Sequence, residues 1–398
     1  MLRFRHPCLP VSANRPCRWP LAIALLLGFF LTGPCPVAGA LSPAADGFHV
    51  HPGESIQAAL DAAALNPSNK VVRVHAGLYY PEGKRQAFIW FNQRHDGVQL
   101  LADGAVTLSA ANPALTTPRA EGYPAVVNHV VYFGVGVGSN TLLQGFRLTG
   151  AANYVSQKLT QAMEPDTSFH KNLFFYTDGG AVKVFGRSSP TLRDLEVVDN
   201  FASPCAAGVS IQQEGANELP VLLENCVFRN NRAQVTGAAI DLLAGSAAVI
   251  RNCLLVTNAG NAGMDPLTLR GGPLTFTNNG VLTIFTGSRA VVDHCTFTGN
   301  RNAVDDMGGR SEYRDCIFSD NTLATGLTGT TRYEIDLLLG GKITGCVFHA
   351  PTPDLRTRVP AAANRLDAPP PRFTADFIPT DPAYARAGYR PRLVAVLH

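Results

Sequence analysis

Acid–base cleavage of a sugar polymer needs two carboxyl groups, or a carboxyl and an amine, displayed on one surface at fixed spacing. The chain offers such groups inside short alternating segments. Lys183, Asp241 and Asp336 are the middle residues of Val182-Lys183-Val184, Ile240-Asp241-Leu242 and Ile335-Asp336-Leu337. Ser210 and Thr283 hold the same place in Val209-Ser210-Ile211 and Leu282-Thr283-Ile284. In a strand the flanking apolar side chains point one way and the middle one the other, so these five form one column pointing away from the core. Asp178 stands just ahead of the first segment, and Asp305-Asp306, followed by Arg310, adds an acidic pair expected at a turn. A carboxylate pair set across a glycosidic bond can run hydrolysis. Lysine or arginine beside carboxylates can instead neutralise a uronate and take the neighbouring proton, as β-elimination requires. Lys183, Asp241, Asp305 and Asp306 are therefore the candidate catalytic groups, with Asp178, Asp336, Arg270 and Arg310 as candidate substrate contacts. Adjacent carboxylates also suit calcium, which makes Asp305/Asp306 a candidate metal site. The plainer reading of every one of these residues is a solvated side chain on the outer face of a sheet.

What must position them is a repeat. Glu224-Asn225-Cys226-Val227-Phe228-Arg229-Asn230-Asn231 returns as Asn252-Cys253-Leu254-Leu255-Val256-Thr257-Asn258 and as His294-Cys295-Thr296-Phe297-Thr298-Gly299-Asn300. It returns again in Asp315-Cys316-Ile317-Phe318-Ser319-Asp320-Asn321 and Gly345-Cys346-Val347-Phe348, and a cysteine-free copy is Asp194-Leu195-Glu196-Val197-Val198-Asp199-Asn200. Successive Leu/Cys positions are separated by 31, 27, 42, 21 and 30 residues. A coil of roughly 20–30 residues with insertions of varying length is the signature of a solenoid. The expected fold is all-β, a right-handed parallel β-helix, its hand following from the crossover rule. Asn200, Asn231, Asn258, Asn300 and Asn321 are expected to stack as a ladder of side-chain amides, since asparagine tolerates left-handed turns.

The chain has 398 residues, 46% of them hydrophobic and 16% charged, with 37 glycines, 28 prolines and a net charge of +3. That is ample for a core, rich in turns, and without a basic stripe for nucleic acid. Arg3, Arg5, Arg15 and Arg18, the apolar run Leu21 to Leu31 and Ala38-Gly39-Ala40 read as an export signal ending at residue 40. The apolar run is short for a membrane span. Residues 1–40 are thus the signal peptide, 41–350 the β-helix with its cap, and 351–398 a proline-rich tail that packs on or caps the last coil. Export places the mature chain in the periplasm, at the cell surface or outside the cell. Cleavage leaves six cysteines, five of them at one inward coil position, where buried free thiols acting as small hydrophobes are the preferred reading over disulfides.

Ser55 and the pattern Ile56, Ala59, Leu60, Ala63 describe a short amphipathic helix with Ser55 as its cap, followed by a strand over Val71 to Tyr79. This opening resembles that of the pectin-lyase-like right-handed parallel β-helix proteins, with Ala76 where their turn usually carries proline. The resemblance implies a capping helix, asparagine ladders, and a polysaccharide lying along the outside of one sheet between long loops. Two segments, 151–178 and 259–280, break the coil rhythm and would supply such loops. Of the ordered polygalacturonase signatures only an Asp-Asp is present, and no pectate-lyase arginine motif can be placed. Two functions therefore stand side by side: a polysaccharide lyase or glycoside hydrolase, or a non-catalytic β-helix that binds a glycan or a surface protein. Three or more charged groups converging in a groove would favour the enzyme; a flat, evenly polar sheet face would favour binding. The aromatic runs Phe88-Ile89-Trp90-Phe91 and Phe174-Phe175-Tyr176 could stack on sugars but are read as packing residues. His51, His75, His129, His170 and His294 are scattered without ligand spacing. From this register Cys226→Asp should prevent folding and Thr283→Asp should be tolerated.

Overall fold

In a computed structural model the coils stack as a parallel β-helix. It describes residues 43–120, 122–152, 178–203, 205–243, 245–260, 280–321, 334–337, 340–351, 355 and 359–391. All of them belong to one compact unit, Leu41–His398. The export signal, Arg270 and the aromatic run 174–176 lie outside the described residues. Among those described, the coils form a 16-stranded and an eight-stranded sheet whose strands pair in parallel. No described helix is long and apolar enough to cross a membrane.

The large sheet bends within each coil. Asp194, Asn225, Asn252, His294 and Asp315 occupy one corner, all with φ between 49 and 57°. Short polar residues tolerate this left-handed geometry better than others, which is why the repeat places Asn, Asp or His immediately before its Leu/Cys position. Beyond the corner the side chains alternate. Cys226, Cys253, Cys295, Cys316 and Cys346 point inward, as do Phe228, Phe297, Phe318 and Phe348, and all are completely buried. Phe297, Phe318 and Phe348 stack with ring centroids 5.0 and 4.9 Å apart. All six described cysteines are free and buried, so the thiols serve as small core residues.

Each asparagine side chain donates to the next coil. Asn200 Nδ2 donates to Asn231 Oδ1 at 3.1 Å, Asn231 to Asn258 at 3.0 Å, Asn258 to Asn300 at 3.1 Å and Asn300 to Asn321 at 2.7 Å. The ladder ends on Glu334, whose carboxylate accepts from the Asn321 side chain and backbone. Burial pushes the Glu334 carboxyl up to about 7.

Helix α1 (Ile56–Ala64) closes the N-terminal end, with Ser55 Oγ accepting from Ala58 N at 3.2 Å and Ile56, Ala59, Leu60 and Ala63 turned to the core. At the other end, segment 359–391 runs back over the outside of the last coils. Tyr384 and Ala387 cover Ile317 and Val347. Tyr389 N donates to Thr296 Oγ1 and Arg390 N to Asn252 Oδ1, at 2.9 and 2.7 Å.

Candidate functional site

The eight-stranded sheet positions the charged column. Its inward face is apolar: Val182, Val184, Val209, Ile211, Ile240, Leu242, Leu282, Ile284, Ile335 and Leu337 all belong to the core. Register pairing then lines up the opposite face in a single file. Trp90 lies beside Tyr132, Tyr132 beside Lys183, Lys183 beside Ser210, and Ser210 beside Asp241. Asp241 lies beside Thr283, Thr283 beside Asp305, and Asp305 beside Asp336. The Trp90 and Tyr132 ring centroids lie 4.2 Å apart with the planes tilted by 35°. The file therefore reads aromatic, aromatic, cation, hydroxyl, acid, hydroxyl, acid, acid.

The file is not solvated. Lys183, Ser210, Asp241 and Thr283 are 0% exposed and Asp305 is 1% exposed, while Asp336 is half-buried. The turn ahead of strand Ile240–Leu243 folds over the file. Gly237, at φ +58°, packs directly on the Asp241 carboxylate: a Cβ there would lie 1.8 Å from Oδ1. Thr283 Oγ1 accepts from Gly237 N at 3.2 Å and donates to Gly280 O at 3.1 Å. Thr283→Asp would thus insert a third carboxylate between two buried ones and break both bonds. The expectation that this substitution is tolerated, made for an open face, is revised to strong destabilisation.

Burial without full pairing sets the electrostatics. Asp241 Oδ2 accepts from Thr236 Oγ1 at 3.0 Å, but Oδ1 has no hydrogen-bond partner. Asp178 Oδ1 accepts from Cys205 N at 3.2 Å, and its Oδ2 is likewise unpartnered, as is Asp305 Oδ2. Loss of water raises all three carboxyls. Asp241 stands well above the usual carboxylate range, first by burial and then by the charge of Asp178. Asp305 is pushed up to about 7 by burial, then by Asp336 and Asp306. Burial raises Asp178 too, with Lys183 opposing it. Lys183 is lowered by burial, against the pull of Asp178, Asp241 and Glu214. Its ammonium donates to Ser210 Oγ at 3.1 Å and Gln212 Oε1 at 2.8 Å. Gln212 in turn donates to Glu214, which lines an open depression with Val135, Arg187, Gln213 and Glu218.

Asp305 and Asp306 do not act together. They lie in the strand Val304–Asp306 rather than a turn, so alternation sends them to opposite faces. Asp306 pairs in register with Ile284 and Leu337 on the core side. Its carboxylate accepts from Tyr313 Oη at 2.9 Å and Gly308 N at 2.8 Å. That is a structural role. The pair cannot chelate calcium jointly from the two faces of one strand. Arg310 is exposed in the loop after this strand. Asp178, Lys183, Asp241, Asp305 and Asp336 are the members brought together.

Sequence reasoning missed Thr236, Gly237 and Cys205. The column's periodicity cannot reveal turn residues that fold over it; the signal that could have found them is the glycine ahead of four column strands, Gly180, Gly208, Gly237 and Gly280. Burial pushes the Cys205 thiol well above its usual range, with Asp178 and Asp241 adding to the effect. Against known proteins, no family model, curated sequence or solved structure matches this chain.

Proposed function

We propose that the chain is an exported glycoside hydrolase of pectin-lyase-like architecture, its acid and base drawn from the Trp90–Asp336 file and reached by substrate when the turn at Gly237 that covers Asp241 moves aside. One observation carries this reading: three buried carboxylates each have an unpartnered oxygen, two of them, Asp241 and Asp305, on one sheet face with buried Lys183 and the third, Asp178, in the bend just ahead of it. An unsatisfied buried polar atom costs about 1–3 kcal/mol, and a scaffold gains nothing from three of them. Charged groups converging on one face are also the arrangement that favours an enzyme over a flat binding surface, and perturbed carboxyls cluster at catalytic sites.

The roles follow from protonation. Asp241, held protonated, is the general acid that donates to the leaving oxygen. Asp305, near half ionisation at neutral pH, is the base that takes a proton from water. They lie two strand spacings apart, about 10 Å at Cα, which suits a water between them and inversion at the anomeric carbon. Lys183, fully buried and bound to Ser210 and Gln212, supplies positive charge beside Asp178 and Asp241.

The test is incubation of the mature protein with acidic and neutral polysaccharides, following reducing ends and the ultraviolet absorbance of unsaturated uronates. Reducing ends without absorbance, lost in Asp241→Asn and Asp305→Asn, support the proposal; anomeric NMR should show inversion. New absorbance lost in Lys183→Ala replaces it with β-elimination. Glycan retention without either product makes the protein a binding scaffold and overturns the enzyme reading.

A further inference from the structure

Far from the file, strand pairing at the N-terminal end gathers histidines that the sequence scatters. His49 lies on the strand Phe48–Val50, which pairs in parallel with Val71–Tyr79, so that His49 lies opposite Arg73 and one diagonal from His75. His75 lies opposite Asp103 on the next strand. The four side chains form a continuous line. Asp46 Oδ1 is 2.9 Å from His49 Nε2, His49 Nδ1 is 2.8 Å from His75 Nε2, and His75 Nδ1 is 3.2 Å from Asp103 Oδ2. Arg73 Nε binds the other oxygen of Asp46 at 3.1 Å, leaving Oδ1 to the histidine. The exposed His51 ring lies flat on His75, centroids 4.2 Å apart and planes within 7°.

A count of protons shows what this line lacks. Ionised carboxylates only accept, and a neutral imidazole carries one N–H. Two rings therefore supply two protons to three close contacts, and one contact is left with lone pair facing lone pair. If both outer nitrogens donate to the aspartates, the unfilled contact is the central one, between His49 Nδ1 and His75 Nε2. Imidazoles whose far nitrogen is held by a carboxylate, with the near nitrogen converging on a partner, are oriented as metal ligands are.

We propose that His49 and His75, backed by Asp46 and Asp103, bind one borderline divalent transition-metal ion such as Zn²⁺ or Ni²⁺. Imidazole nitrogen suits these ions, whereas calcium takes oxygen. Zinc bonds to nitrogen at about 2.0–2.1 Å, so tetrahedral ligands stand about 3.3 Å apart. The observed 2.8 Å gap needs to open only slightly, which partly exposed side chains allow. Water completes the coordination, and His51, stacked flat on His75, does not point its ring nitrogens at the gap. The bound ion would tie the first strand of the mature chain to the first coil, independently of any activity at the file.

The experiment is calorimetric titration of the metal-free, tag-free mature protein with Zn²⁺ and Ni²⁺, with Ca²⁺ as the hard-cation control. One equivalent of Zn²⁺ or Ni²⁺ should bind, and Ca²⁺ should not compete. His49→Ala and His75→Ala should each weaken binding at least tenfold, and Asp103→Asn by roughly 10–100-fold, as loss of an orienting carboxylate does. Circular dichroism checks that each variant is folded. Long-range ¹H–¹⁵N histidine spectra of the unaltered protein give a second readout, in which His49 Nδ1 and His75 Nε2 should be the nitrogens that shift. Absence of binding would mean that the gap holds only a shared proton. Binding that survives both histidine changes but is lost in His294→Ala would assign it to Asp293, His294 and Asp315, whose ligand-type atoms lie within 4.8 Å of one another. Either result overturns the proposal.

Discussion

Asp305→Asn should make the protein more stable, and more so as the pH rises. The amide keeps the shape of the carboxyl but cannot ionise. In the folded chain the Asp305 carboxyl is raised from 3.8 to about 7, chiefly by burial. A raised folded value means that the native state holds this proton more tightly than the unfolded chain does. Its stabilising effect is complete below about pH 4 and is lost as the pH climbs toward 7. With about 1.4 kcal/mol per pH unit, ionisable Asp305 costs roughly 0.6 kcal/mol at pH 4 and about 4 kcal/mol at pH 8, relative to a neutral isostere. An unfolding entropy of about 2.1 cal/mol/K per residue over some 350 residues converts the larger figure to about 5 °C in Tm. Thermal unfolding followed by circular dichroism at both pH values measures the difference. A gap that is the same at pH 4 and pH 8, or a variant less stable at both, would mean that Asp305 is solvated and ionised in the native state. The reasoning from burial would then fail, and with it the assignment of Asp305 as a base poised near neutrality.

Asp241→Asn should leave the fold intact and lower hydrolysis by about 10²–10⁴-fold, the usual contribution of a positioned general acid; turnover and circular dichroism together check this. Gly237→Ala should abolish activity and lower Tm by several degrees, because its Cβ would collide with the Asp241 carboxylate. Cys226→Asp and Thr283→Asp should both prevent stable folding, read as loss of soluble protein with a native circular-dichroism spectrum. The six described thiols, all buried, should react with an aromatic disulfide reagent only after denaturation. Glu334→Ala should cost about 1–3 kcal/mol in urea unfolding by leaving the Asn321 amide without its acceptor, whereas Glu334→Gln keeps an oxygen there and should be milder.

The architecture was legible because it repeats. The phrase around Cys226 recurs often enough to fix which side chains face the core, and the cap, the asparagine ladder and the free thiols all follow from that register. The site was legible only in part. Period-two alternation put Lys183, Asp241 and Asp336 on one face, but alternation says which way a side chain points and not what lies over it. The burial of Thr283 and Asp241 comes from turns folding back across the sheet, and turn paths are not periodic. Asp305-Asp306 illustrates the converse. Adjacent acids look like one pair in a string of letters, yet a strand sends them to opposite faces. His49 and His75 were invisible for a related reason, since only pairing between strands brings them within 2.8 Å.

The asparagine ladder also fixes where the molecule has room to change. Its rungs are separated by 31, 27, 42 and 21 residues, yet every rung pairs in register with the next. All of this difference in length must be absorbed somewhere in the circuit. Corner and ladder asparagine are always six residues apart, and most of the surplus falls between each asparagine and the following strand of the eight-stranded sheet (9, 9, 24 and 4 residues), with the rest between that strand and the corner (16, 12, 12 and 11). The coil behaves like a belt with one main adjustable buckle, placed in the chain just ahead of each column strand. Residues can be added or removed there without disturbing the spine. What borders the file can therefore diversify rapidly while the stack of coils that carries it stays the same.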